Sequence, residues 1–243
     1  MVLVKAIVLL SPLLFQANAL EAPIEGYGVE ELEWEVEVFP NDFQSFNGTV
    51  QQVHKQVHQL NPRWLAERSP EKTSGSTRDR RVILTEEEEW KEIWKTYHRF
   101  ELDTGIKWKN LVCAPGPNNW EPVSAQYAND HIFEDLEHLY GLGREMDLVS
   151  KAKTGRVPGN GPGPGNCGRV ACTFNTAIWW CNDNKEAYQL RSWLDIVQGA
   201  VRVIKGCRVR TVDEYGQKYF KSGGQQFAMD NWNVVVRRDE TDC

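Results

Sequence analysis

The chain has 243 residues, of which 41% are hydrophobic and 26% charged, and a formal net charge of −6 at pH 7. This length supports one sizeable hydrophobic core, or one core with a smaller appended unit. The negative charge and the absence of dominant basic patches argue against nucleic acid as a partner.

Residues 1–19 have the pattern of a secretory signal peptide. Lys5 supplies a positive start, residues 6–15 are apolar, and residues 17–19 form a small-x-small cleavage site. The apolar run is too short to anchor the chain in a bilayer. We therefore expect a secreted, extracellular protein, although a buried N-terminal helix remains the other interpretation.

Residues 20–68 contain no cysteine and are expected to form a β-α unit. Apolar residues that alternate with glutamate predict a strand with one apolar and one acidic face: Leu32, Trp34, Val36 and Val38. Apolar residues at spacings of three and four then predict a helix: Val50, Val53, Val57 and Leu60. Thr49 can cap this helix, and Pro62 stops it.

Residues 69–81 are polar and contain proline and glycine, which predicts a flexible linker. The linker ends at Arg80 and Arg81, a dibasic pair of the kind that processing proteases of the secretory pathway cut. Either residues 20–68 are a propeptide released at this pair, or the pair is not cut and the acidic strand stays with the main sheet. Asn47 begins an Asn-Gly-Thr sequence and is a candidate N-glycosylation site.

Residues 82–243 are the expected cysteine-containing α+β domain, and its first element is a helix. Thr85 and Glu88 have the spacing of a capping box. Residues 86–89 are all glutamate. We expect them to form a solvated first turn that the helix dipole favours, not a metal site.

A second helix is expected over residues 126–140, ended by Gly141 and Gly143. The following loop, residues 157–165, is too rich in glycine and proline for helix or strand. No Lys-Ser/Thr and no helix start directly follow it, so a phosphate site is not expected there.

Residues 165–184, GNCGRVACTFNTAIWWCNDN, are the best-patterned part of the chain. Their alternation predicts either a hairpin that turns near Asn175 or a single long bent strand. In both arrangements Trp179 and Trp180 point to opposite faces, so at least one of them belongs to the core.

A long amphipathic helix follows, with Asn184 as its expected cap and Gly206 as its end. Its apolar stripe is continuous: Leu190, Trp193, Leu194, Val197, Ala200, Val201 and Ile204. Two strands are then expected, at residues 208–212 and 231–236, with chain breaks at Gly216 and at residues 222–224.

All six cysteines follow the signal peptide: Cys113, Cys167, Cys172, Cys181, Cys207 and Cys243. An even number in a secreted chain predicts three disulfides. A zinc site is not favoured, because there is no CxxC pair and no histidine at ligand spacing from a cysteine. A helix that returns across the sheet brings Cys207 toward Cys172, which favours that bond over the other pairings.

Two stretches resemble a set of fungal secreted cysteine-rich proteins: GNCGRVxCxxNxAIWWCNDN, here residues 165–184, and GGQxFxxDNWNV, here residues 223–234. The element order over residues 125–243 also resembles the killer-toxin-like α/β sandwich of fungal killer toxins and necrosis-inducing effectors. The resemblance implies an antiparallel sheet packed against two helices and held by disulfides. It implies a toxin-like or effector-like protein without enzymatic activity, and it transfers no catalytic residue.

Few residues have the spacing of a chemical site. His54 and His58 are four apart on the N-terminal helix, which permits zinc binding, but they lack a third ligand and surface histidines are the simpler interpretation. The second helix carries four titratable residues near one face, where a metal or acid/base site competes with a solvated surface: His131, Glu134, Asp135 and His138. Residues 182–184 could contribute to a calcium site, but helix capping explains them more simply.

We therefore expect no catalytic residue, metal ion or cofactor. The leading hypothesis is a secreted toxin-like or effector-like protein that acts at the surface or membrane of another cell. The alternative is a module that binds cell-wall glycan through exposed tryptophans, although core packing is the simpler role for each one: Trp108, Trp120, Trp179 and Trp232. A hydrolase whose carboxylates the spacing does not reveal is a third hypothesis.

Overall fold

A computed structural model describes residues 20–64, 85–125, 131–145, 153–154, 165–240 and 243. The predicted signal peptide, the predicted linker with Arg80 and Arg81, and residues 157–164 lie outside this part. The described residues contain four α-helices: α1 (Val50–Leu60), α2 (Glu86–Tyr97), α3 (His131–Glu145) and α4 (Leu194–Gly206). A short 3₁₀ helix, His98–Phe100, follows α2. Among the described residues, no helix has the length and apolar character needed to cross a membrane.

Three sheets are formed by the strands of the described residues. The main sheet has the order β1 (Gly28–Val29), β7 (Asn166–Thr173), β8 (Thr176–Asn182), β13 (Trp232–Arg238), β12 (Gly224–Ala228), β4 (Trp108–Cys113). A second sheet has the order β3 (Asp42–Asn47), β2 (Glu33–Phe39), β6 (Lys153–Thr154), β9 (Tyr188–Gln189). The third has the order β10 (Val209–Val212), β11 (Lys218–Ser222), β5 (Val123–Ser124).

The chain is an α+β protein, as the sequence predicts, with α3 and α4 packed against the main sheet. This sheet is antiparallel except where β1 lies parallel to β7. Ile178 and Trp180 of β8 and Val234 of β13 point toward the helices and are fully buried in the main core. The apolar stripe of α4 packs on β13, and α3 packs on β8, which is the expected use of amphipathic helices.

The opposite face of the main sheet forms a second, smaller core. Trp179, Cys181 and Val235 are fully buried there, and partly buried side chains of the N-terminal segment, including Ile24, cover them. The Trp120 indole joins this cover and donates a hydrogen bond to the Pro23 carbonyl (2.6 Å). The prediction that the two adjacent tryptophans point to opposite faces is confirmed, and both are core residues.

The N-terminal β-α unit packs into the main core. The apolar face of β2 is buried, as predicted from its alternation: Leu32, Trp34, Val36 and Val38. The ring of Trp34 stacks on that of Trp193, with centroids 3.6 Å apart and planes at 16°. Strand β2 also pairs with β6, which follows the linker. The acidic strand is therefore joined to the second sheet, and not to the main one.

Capping boxes begin two helices where the sequence predicts helix starts. The Thr49 amide donates to Gln52 Oε1 (2.7 Å) at the start of α1. At the start of α2, the Thr85 amide donates to Glu88 Oε2 (2.8 Å), and the Glu88 amide donates to Thr85 Oγ1 (3.3 Å). These bonds satisfy donors that have no partner within the helix.

The acidic first turn of α2 is not only a solvated surface. Arg208 forms an ion pair with Glu87 (3.0 Å), and Arg210 of β10 pairs with Glu89. These pairs dock the start of α2 onto the third sheet. The sequence could not show this, because more than a hundred residues separate the partners.

The helix boundaries differ from the prediction at two places. Helix α3 continues through Gly141 and Gly143 to Glu145. A glycine costs only about 1 kcal/mol within a helix, so packing of the helix on the core overrides it. Helix α4 begins at Leu194 after Trp193, so Asn184 is not its cap.

Asn184 instead joins two loops at one end of the main sheet. Its side-chain amide donates to the carbonyls of Asp230 (3.1 Å) and Asn231 (2.9 Å). Its backbone amide donates to Asn182 Oδ1 (2.9 Å). The two stretches that carry the fungal resemblance therefore meet at this end of the sheet.

Residues 165–184 form a hairpin, which decides between the two arrangements predicted for them. Phe174 and Asn175 connect the strands with φ of 46° and 64°, the positive values of a two-residue hairpin turn. Gly165, just before the hairpin, passes so close to the facing strand that a Cβ atom there would lie 1.4 Å from the Asn182 carbonyl oxygen.

All six cysteines form disulfides: Cys113–Cys207, Cys167–Cys181 and Cys172–Cys243. The predicted Cys172–Cys207 bond is wrong. Helix α4 lies over β13, β12 and β4, so Cys207 at its end reaches Cys113 on the edge strand. Cys172 is on β7, near the opposite edge of the main sheet, and it forms its disulfide with Cys243.

Candidate functional site

The four tryptophans of the glycan hypothesis do not form an exposed surface. Trp120, Trp179 and Trp232 are at most 3% exposed. Trp108 is partly buried, its ring meets that of Trp232 edge to face, and its indole donates to Gln198 Oε1 (2.6 Å). The three buried rings are occupied by core packing and cannot stack on a sugar.

A histidine-lined hollow lies between α1 and α3. It is open to solvent and has a volume of about 450 Å³. Helix α1 supplies most of its lining because residues at spacings of three and four share one helix face. We call this cavity the histidine hollow. Six side chains line it: Gln51, His54, Lys55, His58, Gln59 and His138.

His54 and His138 contact each other in the wall of the histidine hollow. Their ring centroids are 4.9 Å apart and their planes meet at 69°. His54 is only 9% exposed, and its ring also meets Trp64 edge to face at 5.4 Å. Nε2 of His54 and Nδ1 of His138 are buried and have no hydrogen-bond partner among the described residues.

Both imidazoles of this pair are neutral at pH 7. Burial and, to a smaller extent, the neighbouring His138 lower the pKa of His54 to about 3. Burial also lowers the pKa of His138, against the opposing effect of the Glu134 carboxylate. A neutral imidazole offers one donor and one free lone pair, so each ring can bind a metal ion or exchange a hydrogen bond with a ligand.

Behind the histidine hollow, Gln51 connects the wall to a buried carboxyl group. Its amide nitrogen donates to Asp135 Oδ1 and to Thr173 Oγ1 (3.0 Å), and its amide oxygen accepts from the Cys172 backbone (3.2 Å). Thr173 also donates to Asp135 Oδ1 (2.7 Å). Burial raises the pKa of Asp135 well above 3.8, although these hydrogen bonds oppose the shift.

The four titratable residues predicted on one face of α3 do not form one site. His131 stacks on Phe174 at the hairpin tip, with centroids 4.2 Å apart. Asp135 points to Gln51 and Thr173, whereas His138 contacts His54. The sequence identified the histidines on both helices but could not show that one from each helix would meet.

Asp183 is also satisfied by protein groups. Its carboxylate accepts hydrogen bonds from Asn233 (2.7 Å) and from the Tyr27 hydroxyl (3.0 Å). Burial raises the pKa of Asp183, and the same two hydrogen bonds oppose this. These contacts, with those of Asn184, account for the Asn-Asp-Asn sequence without a calcium ion.

The histidine hollow is thus the best candidate functional site of the described residues. Comparison with models of protein families, with curated proteins and with solved structures finds no match for the chain.

Proposed function

We propose that the protein is secreted and acts on other cells as a toxin-like or effector-like protein, through binding and not through catalysis. The observation that carries the proposal is the set of three disulfides: Cys113–Cys207 and Cys172–Cys243 join distant parts of the chain, and Cys167–Cys181 joins the two strands of the hairpin. Disulfides persist in oxidising, extracellular surroundings and stabilise proteins that must remain folded there. The signal-peptide pattern and the resemblance to killer-toxin-like proteins support the same proposal.

The properties of the buried titratable groups support binding. A general acid or base is most effective when its pKa lies near the working pH. The pKa of His54 is about 3, far below that range. Asp135 is fully buried behind the histidine hollow and engaged by protein donors. Neither group is well suited to proton transfer with a substrate in the histidine hollow.

The proposal is tested by exposing cells to purified protein that has passed through an oxidising secretory pathway. Plant, fungal and animal cells form the panel, and growth and membrane leakage are measured. At least one cell type should respond, and protein that has been reduced and alkylated should be inactive. Folded protein that affects no cell type would contradict the proposal.

A second measurement separates the glycan alternative. The purified protein is incubated with insoluble chitin and glucan, and the unbound fraction is measured. We expect the protein to stay in solution, because three of the four tryptophans considered for stacking are buried. Retention on a polymer that soluble oligosaccharide reverses would favour the glycan-binding hypothesis instead.

A further inference from the structure

Two nitrogens in the histidine hollow lack the partners that buried polar atoms normally have. Nε2 of His54 and Nδ1 of His138 are buried without a hydrogen bond among the described residues, whereas most buried polar atoms of proteins are paired. Both belong to rings that line an open hollow. Two unpaired nitrogens, on two rings that line the same hollow, are the observation that points to a ligand there.

We propose that His54, His58 and His138 bind one divalent transition-metal ion, of the Zn²⁺ class, in the histidine hollow. His54 and His138 are in contact, with ring centroids 4.9 Å apart. His58 lies one helical turn after His54 and lines the same space. Two histidines at i and i+4 on one helix with a third from a neighbouring element are a recurrent zinc-ligand set, and a fourth position stays open to water.

The third ligand requires a side-chain rotation. Among the described residues, no group of three or more histidine, cysteine, aspartate or glutamate side chains is placed so that it could hold a metal ion. His58 is exposed, so its side chain can turn toward the other two rings without disturbing the core. The site therefore has two imidazoles in contact and a third that must turn toward them.

The surroundings of the histidine hollow decide how strongly a cation binds. The Glu134 carboxylate acts on His138 electrostatically and favours a cation. Lys55 also lines the hollow, and its positive charge opposes the binding of a cation. Its side chain is flexible and exposed, so the ammonium group can turn toward water.

Calorimetric titration of the chelator-treated, oxidised protein with Zn²⁺ tests the site. We expect one ion per chain. His58→Ala and His138→Ala should each weaken binding by at least about 10-fold, the lower limit seen even for the loss of groups that only support a ligand. His98→Ala, an exposed histidine at the end of α2, should leave binding unchanged.

Replacement of the partly buried His138 could disturb folding, whereas His58 is exposed. The His58→Ala variant therefore keeps the test decisive. Its circular dichroism and unfolding midpoint without metal should equal those of the wild type. Absorbance of bound Co²⁺ gives a second reading, since histidine ligands in tetrahedral geometry produce intense visible bands. No Zn²⁺ binding by the wild type, or equal binding by wild type and His58→Ala, would overturn the proposal.

Discussion

The carboxyl group of Asp135 is fully buried, and one of its two oxygens accepts both of its hydrogen bonds. The other oxygen has no partner among the described residues. Removal of a carboxylate from water disfavours the charged form, and burial raises the pKa of Asp135 for this reason. Folding therefore favours the protonated acid at this position.

We expect Asp135→Asn to stabilise the protein at neutral pH. Between the ordinary pKa of 3.8 and the raised folded-state pKa, the folded state binds more protons, so the free energy of unfolding of the wild type falls as pH rises. The asparagine oxygen can still accept from Gln51 and Thr173, and it carries no charge. Urea unfolding at pH 4 and pH 7 should show an advantage for the variant that grows with pH.

An exposed carboxylate on the N-terminal segment supplies the control for this prediction. Glu31→Gln removes the negative charge of an exposed side chain. It should leave the free energy of unfolding at pH 7 within about 0.5 kcal/mol of the wild-type value. If Asp135→Asn lowered stability at pH 7, the charged form would be the one that the fold stabilises.

Trp34 provides a second test at the residue scale. Its ring is fully buried and stacks on Trp193 of the cysteine-containing part. Trp34→Ala should reduce the free energy of unfolding by about 3–5 kcal/mol, the usual cost of the cavity left by a large aromatic ring. Glu33→Ala, on the exposed side of the same strand, should have little effect. A small loss for Trp34→Ala, measured in guanidinium chloride, would show that the N-terminal unit folds independently of the main core.

At the scale of elements, the hairpin of β7 and β8 shows why its sequence is so strongly patterned. Cys167 and Cys181 are directly opposite each other in the ladder and are bonded. The alternation of side chains assigns Trp180 to one core and Trp179 to the other. Such a strand pair is predictable because each side chain's direction depends only on its neighbours in the chain.

Two glycines that differ in surroundings give a matched pair of predictions. Gly165→Ala should prevent normal folding and secretion, because the new Cβ would lie 1.4 Å from the Asn182 carbonyl oxygen. Gly141→Ala adds a methyl group in open space within α3 and should stabilise the protein by about 0.5–1 kcal/mol. Secretion yield and thermal unfolding measure both effects. Normal yield and stability for Gly165→Ala would show that the two strands are farther apart.

For the whole molecule, the position of the N-terminal unit matters most. Strand β1 pairs with β7, β2 pairs with β6, and α1 contacts α3. His54 and His58 of the histidine hollow also belong to this unit, whereas His138 does not. Release of residues 20–68 would expose the main core and divide the proposed metal site.

We therefore expect that cleavage after Arg81 leaves the two pieces associated. The cysteines all lie in the later piece, so the association must be non-covalent and must depend on shared core contacts such as the Trp34–Trp193 stack. Gel filtration of the cut protein should give one peak in buffer and two peaks in denaturant. Separation in buffer would support a propeptide that is released.

Local patterns in the sequence were sufficient for the α+β class, the apolar face of β2, the capping box at Thr85 and Glu88, and the opposite directions of Trp179 and Trp180. Each of these depends on hydrogen bonds or side-chain periodicity over a few residues. Packing can still override a local signal, as α3 shows by continuing through two glycines to Glu145.

Only the tertiary structure decided which distant residues meet. The order of strands in the main sheet places Cys207 beside Cys113 and Cys172 beside Cys243. The sequence alone is compatible with any disulfide pairing of the six cysteines. Likewise, His54 and His138 were separate candidates until the packing of α1 on α3 brought their rings together. Local conformation follows from neighbouring residues, whereas such contacts depend on how the whole chain buries its apolar faces.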